Sequence, residues 1–118
     1  MDKRIIKAIW LSFDLGIGGD DPGLYKWLDN HKAIECGDSV AFLKYSVETD
    51  KDDDIIADVK KDIESCVKLR AGDRIYIIRR DSTSKPISVK GAFLTGKRKA
   101  SPWEGYGDNK PATSESGE

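Results

Sequence analysis

The alternation of apolar and polar positions predicts a strand at the start of the chain, over Ile5–Leu15. Every second residue of this run lies on the same face, and one face is apolar except at Lys7. The other face includes Ile6, Ala8 and Trp10. Successive side chains of a strand point to opposite sides of its sheet. Two largely apolar faces therefore indicate a central strand.

Two later segments show helical spacing of apolar residues. The first opens at Asp20-Asp21-Pro22, where an aspartate cap and a proline in the first turn favour a helix that runs to about His31. The second runs from about Asp54 to Val67, with one apolar stripe, acidic residues at its start and basic residues after its end. Both patterns are typical of helices that pack one face on a sheet.

Four further strand-like runs complete the pattern. Ala33–Cys36 and Ser39–Val47 flank a Gly-Asp pair and predict a hairpin. Arg74–Arg80 and Ile87–Thr95 predict the last two strands. The order β-α-β-β-α-β plus one extra C-terminal strand predicts an α+β fold, a ferredoxin-like sandwich with two helices on one face of an antiparallel sheet.

Two helices cover only one face of such a sheet, which leaves the other face open to solvent or to a partner. Ile9, Leu11 and Phe13 are expected beneath the helices. A large aromatic residue, Trp10, is expected on the other side, which we call the open face, and it favours a partner there. We expect a homodimer formed through this face or through the last strand. The expected interface residues are Ile6, Ala8 and Trp10.

Composition fits one domain, predicted over residues 1–107, followed by a tail at 108–118 with the composition of a disordered segment. The apolar stretch near the N-terminus is too short and too interrupted for a signal peptide or a membrane span, so the cytoplasm is the expected compartment. Cys36 and Cys66 lie in apolar segments and are expected to be reduced core thiols.

Charge is unevenly distributed although the net charge is only −1. Glu48–Glu64 holds eight acidic and three basic residues, whereas Lys68–Lys99 holds ten basic and two acidic residues. Such a basic half suits phosphate, and neighbouring aromatic residues suit base stacking. The alternatives are a solvated surface whose halves neutralise each other and aromatic residues that pack on the sheet or on a second subunit. The candidate nucleic-acid-binding residues are Arg79, Arg80, Lys97, Arg98, Lys99, Trp103 and Tyr106.

Asp14 is the candidate for chemistry because it ends the first strand beside a glycine-rich turn. A carboxylate there could bind Mg²⁺ or Mn²⁺, and the ion could activate water. Alternatively, Asp14 caps the turn through its side chain. One histidine, His31, with no serine or cysteine partner in spacing, argues against a catalytic triad, and two cysteines argue against a zinc cluster.

Four short motifs resemble the CRISPR-adaptation and VapD-type group of ferredoxin-like proteins, and within it the small SinR-like proteins. The motifs are Ser12-Phe13-Asp14-Leu15, Gly37–Lys44, Asp73–Ile78 and Trp103-Glu104-Gly105-Tyr106. The resemblance implies a homodimer formed through the sheets, with Asp14 near the two-fold axis. Some members of this group are metal-dependent nucleases that act on RNA or DNA, and others are structural subunits.

The leading hypothesis is therefore a dimeric ferredoxin-like nucleic-acid-binding protein. Its catalytic form would be a metal-dependent endonuclease, an endoribonuclease above all, with Asp14 as the essential carboxylate and as the ligand of Mg²⁺ or Mn²⁺. The alternative is a non-catalytic protein–protein assembly module that uses the open face and the C-terminal extension.

Overall fold

The computed structural model of the protein describes residues 4–108. In this part the chain forms β1 (Ile5–Asp14), α1 (Asp21–Asn30), β2 (Ile34–Gly37), β3 (Val40–Val47), α2 (Asp52–Glu64), β4 (Arg74–Asp81) and β5 (Ser88–Thr95). The predicted order of helices and strands is confirmed. All but the first residue of the tail predicted at 108–118 lies outside the described residues. Within 4–108, no helix is long and apolar enough to cross a membrane.

The five strands form one antiparallel sheet in the order β2-β3-β1-β4-β5. β1 lies at the centre, paired with β3 on one side and with β4 on the other. Each helix connects two strands that have a third strand between them, which is compatible with a ferredoxin-like arrangement. β5 extends the sheet by one strand beyond β4. The α+β class and the antiparallel sheet are thus confirmed.

The core lies between the helices and one face of the sheet. Ile9 and Leu11 of β1 are fully buried there, as predicted, whereas Phe13 packs against the core but stays partly exposed. Burying a side chain of this size stabilises the fold by about 1.5–3 kcal/mol. The largest other fully buried residues are Leu24, Trp27, Leu43, Ile55, Ile63, Ile75 and Ile77.

α1 begins where the sequence pattern predicts, because Asp20 caps it. The Asp20 carboxylate accepts hydrogen bonds from the backbone N–H of Gly23 (3.0 Å) and from that of Lys68 (2.9 Å). The second bond ties the start of α1 to the segment after α2. These two backbone bonds hold the pKa of Asp20 below its usual range, and the bond from Lys68 has the larger effect.

α2 runs from Asp52 to Glu64, starting and ending earlier than the pattern predicts. Three aspartates fill its first turn, where the helix dipole favours negative charge. The first of them, Asp52, also binds Arg79 of β4, which fixes the helix start over the sheet. Val67 remains buried although it lies beyond the helix end.

Charged side chains fill the helix side of the sheet where α2 begins. Lys7 is buried on this side, and its Nζ donates to Asp50 Oδ1 (2.9 Å) and to the carbonyl of Arg80 (3.1 Å). Arg79 is buried beside it, and its Nε donates to Asp52 Oδ1 (2.8 Å). Each buried charge has an ion-pair partner, which is what burial of a charge requires.

The prediction that both cysteines are core thiols is wrong for Cys36, which is exposed, while Cys66 is half-buried against the core. Cys36 lies on β2, a short strand at the edge of the sheet, all of whose residues are exposed or half-exposed. An apolar pattern on an edge strand therefore does not imply burial on either face.

Candidate nucleic-acid interface

The open face of the sheet carries a row of apolar side chains across its centre. The pairing register places Trp10 of β1 between Phe42 of β3 and Ile78 of β4, and Ile34 of β2 continues the row beyond Phe42. The Trp10 and Phe42 rings lie 4.9 Å apart with a tilt of 50°. Trp10 keeps 40% of its surface exposed, so its ring is available to a ligand.

A second aromatic pair lies one row further along. Tyr76 of β4 is paired with Ser12 on one side and with Phe93 of β5 on the other. The Tyr76 and Phe93 rings lie edge to face at 4.8 Å. Tyr76 leans across Gly91, where a Cβ atom would overlap with the ring. A glycine at this position of β5 therefore leaves the room that the Tyr76 ring occupies.

The extension after β5 turns back over this pair. Gly96 starts the turn with a φ of 82°, and a Cβ there would collide with the carbonyl of Asp73 and with Arg74. The turn places the Arg98 guanidinium 5.7 Å from the centre of the Tyr76 ring, and it lies 5.5 Å from that of Phe93. Both distances are those of cation–π contacts.

A concavity of about 360 Å³ lies beside Arg98, between Trp103, the C-terminal end of β1 and the start of β4. This volume lies within the range of small-molecule sites in proteins. Of the predicted site residues, the concavity unites the candidate catalytic residue, Asp14, with two candidate binding residues, Arg98 and Trp103. The lining residues are Ser12, Asp14, Arg74, Tyr76, Phe93, Arg98 and Trp103.

Asp14 forms an ion pair across the sheet. Its Oδ2 accepts a hydrogen bond from Arg74 Nη2 at 3.1 Å, and the two residues are register partners on β1 and β4. The glycine turn that follows β1 is closed by a backbone bond from Gly19 to Gly16 (2.8 Å). In the part of the chain that the structure describes, Asp14 thus binds a neighbouring strand and keeps 59% of its side chain exposed.

A divalent cation does not fit the donor set around Asp14 within one chain. Residues 4–108 contain no group of three or more histidine, cysteine or acidic side chains placed to hold a metal ion. The charge of Asp14 is already balanced by Arg74, and the Arg98 guanidinium lines the same concavity. Hard cations prefer several oxygen ligands, so more carboxylates would have to come from a second chain.

The remaining predicted binding residues divide between the two sides of the molecule. Arg80 is exposed on the open face, and Lys97 and Lys99 are exposed on the extension beside Arg98. Arg79 is buried on the helix side and does not belong to this surface, because alternate residues of β4 face opposite ways. Its carboxylate partner, Asp52, raises the pKa of the Arg79 guanidinium.

Tyr106 is 85% exposed and lies outside the concavity. The predicted dimer residues are on the open face, with Ile6 59% exposed and Ala8 also exposed. Sequence reasoning missed the open-face residues of the other strands. The alternation within each strand gives their side of the sheet, but only the register shows that they are neighbours of Trp10 and Asp14. These residues are Phe42, Lys44, Arg74, Tyr76, Ile78 and Phe93.

A separate polar cluster on the helix side joins α1 to α2. Asp62 Oδ2 of α2 accepts a hydrogen bond from Trp27 Nε1 (2.9 Å), and the same oxygen lies 3.0 Å from His31 Nε2. The Trp27 and His31 rings are in contact at 4.3 Å. Burial raises the pKa of the nearby Tyr45 hydroxyl above its usual value, and the negative charge of Asp62 adds to this effect. His31 therefore packs on Trp27 of α1 and pairs with Asp62 of α2.

Comparisons with protein-family models, with curated proteins and with solved structures find no match for this chain. Membership of the CRISPR-adaptation and VapD-type group stays a prediction from four short motifs. The geometry of the open face is therefore the basis for a functional proposal.

Proposed function

We propose that the protein binds single-stranded nucleic acid on the open face of its sheet. The observation that carries this proposal is the presence of two aromatic pairs on one partly exposed surface, Trp10 with Phe42, and Tyr76 with Phe93 beneath the Arg98 guanidinium. Bases of a single strand stack on such rings, and each stacked base contributes about 1–3 kcal/mol as measured by alanine substitution.

Charge on the two sides of the molecule supports the same surface. The open face and its extension carry Lys44, Arg80 and Arg98 beside the aromatic residues. α2, on the opposite side, carries six carboxylates and two lysines. A polyanion is therefore attracted to the open face and repelled from the helix layer.

We infer a ferredoxin-like fold for this sheet, with β5 as an addition, and such a fold suits the proposed ligand. A four-stranded sheet with one uncovered face and aromatic residues on it binds RNA in a widespread class of domains. The bases of a duplex are stacked inside it, so aromatic side chains that stack on bases select unpaired bases. We place RNA and single-stranded DNA together as the substrate class, since both offer bases and phosphates.

Fluorescence anisotropy with labelled oligo(U) and oligo(dT) of about ten nucleotides at low salt tests this proposal. Trp10→Ala should weaken binding about 5-fold to 150-fold, the equivalent of one stacked base. Tyr25→Ala is the matched control, because Tyr25 is an aromatic residue of α1 that is 57% exposed on the other side of the molecule. No binding by the wild type, or an equal loss in both variants, would contradict the proposal.

A second candidate function is the non-catalytic assembly module, working through a homodimer on the open face. Three apolar residues of this face, Ile6, Ile34 and Val89, are 59%, 60% and 70% exposed and are not needed to bind nucleic acid. Exposed apolar surface of this kind favours protein contact. Sedimentation of the wild type and of Ile6→Glu separates the two functions. A dimer that Ile6→Glu dissociates, without any nucleic-acid binding, would favour the assembly module.

Metal-dependent endonuclease activity remains a further proposal from the sequence, and it requires a second copy to bring its own Asp14 to the site. Incubation of labelled RNA and DNA with the protein and Mg²⁺ or Mn²⁺ is the test. Asp14→Asn should then abolish cleavage and leave the fold intact, since the side chain is largely exposed. Wild-type protein without cleavage in either metal would remove the activity and leave binding as the function.

A further inference from the structure

We propose that the concavity at Asp14 takes a guanine base from the bound single strand. This inference rests on the proposed function and adds a base preference to it. The concavity lies at the edge of the aromatic surface, where the strand would pass from Tyr76 and Phe93 toward Trp103.

The polar groups of the concavity match the hydrogen-bonding edge of guanine. Asp14 presents a carboxylate, which accepts hydrogen bonds only, and Arg74 presents a guanidinium, which donates only. Guanine places two donors, N1–H and the N2 amino group, beside two acceptors, O6 and N7. A carboxylate next to a guanidinium therefore satisfies one continuous edge of this base.

The other bases leave part of the pair unsatisfied. Adenine and cytosine each offer a single amino group, and uracil or thymine offers a single imino N–H, so none gives the two Asp14 oxygens adjacent donors from two ring positions. A polar group left without its partner in a binding site lowers affinity. Discrimination therefore comes from the acceptor pair of Asp14.

Arg74 retains donors for a ligand while it is paired with Asp14. A guanidinium has five N–H donors. The described contact with Asp14 uses Nη2, whereas Nε is buried, so the donors that a ligand can reach are those of the Nη groups. The arginine is held from one side by Asp14, so its remaining edge has a fixed direction.

The walls of the concavity supply stacking and a phosphate contact. Trp103 is 72% exposed at the rim and offers a large ring face to an entering base. Arg98, held over the Tyr76 and Phe93 rings, places a positive charge where the adjoining phosphate would lie. An aromatic ring, a carboxylate that accepts hydrogen bonds, a guanidinium that donates them and a second positive charge for a phosphate thus line one site of about 360 Å³.

Anisotropy titrations with an all-uridine oligonucleotide and with the same oligonucleotide carrying one central guanosine test this inference. We expect the guanosine to strengthen binding about 10-fold, as one good bidentate contact does. A third oligonucleotide with inosine in place of guanosine lacks only the N2 amino group and should lose most of this gain. The inosine comparison needs no protein variant and is independent of any effect on folding.

Asp14→Asn should abolish the guanosine preference, measured within the variant as the ratio of its affinities for the guanosine-containing and all-uridine strands. Asp29→Asn, a change of an exposed carboxylate on α1, is the matched control and should retain the preference. Uridine binding without a guanosine preference, equal affinity for guanosine and inosine, or a preference that survives Asp14→Asn would each overturn the inference while the proposed function stands. Failure of every oligonucleotide to bind would overturn both.

Discussion

The two faces of the sheet carry similar apolar residues that differ in their exposure to solvent. On β1, Ile9 and Leu11 have no exposed surface, whereas Ile6 and Trp10, equally apolar and on the same strand, are 59% and 40% exposed. Hydrophobicity alone does not distinguish these residues, and the alternation of the strand does. The helix-covered face holds the fold together, and the open face is where apolar surface remains for a ligand.

Charged residues follow the same division. On the helix side the buried charges Lys7, Arg79 and Asp81 are each held by an opposite charge within the protein. On the open face, Arg98 lies against aromatic rings and Arg80 is exposed. On β4, the arginine on the helix side, Arg79, is thus buried in an ion pair, whereas the one on the open face, Arg80, stays exposed toward the proposed ligand.

The largest expected effect separates the core from the open face. Leu11→Ala removes a fully buried side chain and should lower the free energy of unfolding by about 2.7–5 kcal/mol. Trp10→Ala, on the adjacent residue, should cost much less stability and should weaken oligonucleotide binding instead. Urea unfolding of both variants measures the contrast. A loss of stability in Trp10→Ala as large as that in Leu11→Ala would show that the open face is part of a hydrophobic core.

Two adjacent arginines of β4 give the next contrast. Arg79→Ala leaves Asp52 without its partner in a buried site and should cost about 3 kcal/mol of stability. Arg80→Ala changes an exposed side chain and should stay within about 0.5 kcal/mol of the wild type. Binding should respond in the opposite way, weakening in Arg80→Ala. Equal effects of the two changes on both properties would contradict the assignment of faces.

Acid should lower the stability of the fold, because carboxylates that accept hydrogen bonds in the folded state have lowered pKa values. Asp81 accepts hydrogen bonds from Lys90 and from Thr83, and these bonds lower its pKa below the ordinary 3.8. The bond from Lys90 has the largest effect. A group with a lowered folded-state pKa adds stability above its unfolded value, and this stability is lost as the pH falls from about 4 toward the folded pKa. Asp20 acts in the same direction. Urea unfolding between pH 7 and pH 3 should show the loss, and Asp81→Asn should reduce it.

Much of this division is readable from the sequence. The seven elements follow from apolar periodicity and from turn residues, and the buried side of β1 follows from alternation. The same alternation groups Arg79 with Ile75 and Ile77, which are fully buried, although a run of basic residues favours a surface role for it. Strand parity is the better guide in this case.

The grouping of side chains across strands is not readable in the same way. Phe42, Tyr76 and Phe93 are separated in sequence from Trp10, and only the pairing register makes them neighbours. The position of Arg98 depends on the turn at Gly96, whose backbone conformation is set by close contact with β4. Such contacts depend on tertiary packing rather than on local pattern.

The smallest expected effect is on the salt dependence of binding. Lys44 is exposed on the open face beside Ala8, so Lys44→Ala should remove about one phosphate contact. For a single strand this lowers the slope of log affinity against log salt by about 0.7. Lys60→Ala, at an exposed position of α2, is the control and should leave the slope unchanged. An equal change in both variants would show attraction to net charge rather than to one face.

Mapping of the bound strand by NMR tests the central claim most directly. Titration of ¹⁵N-labelled protein with an unlabelled single-stranded oligonucleotide should shift the amide and indole signals of open-face residues, those of Trp10, Phe42 and Tyr76 foremost. Signals of α2 should move little. Shifts that concentrate on α2 or on the α1–α2 contact at Asp62, or no shifts at low salt, would contradict the claim that the open face of the sheet binds nucleic acid.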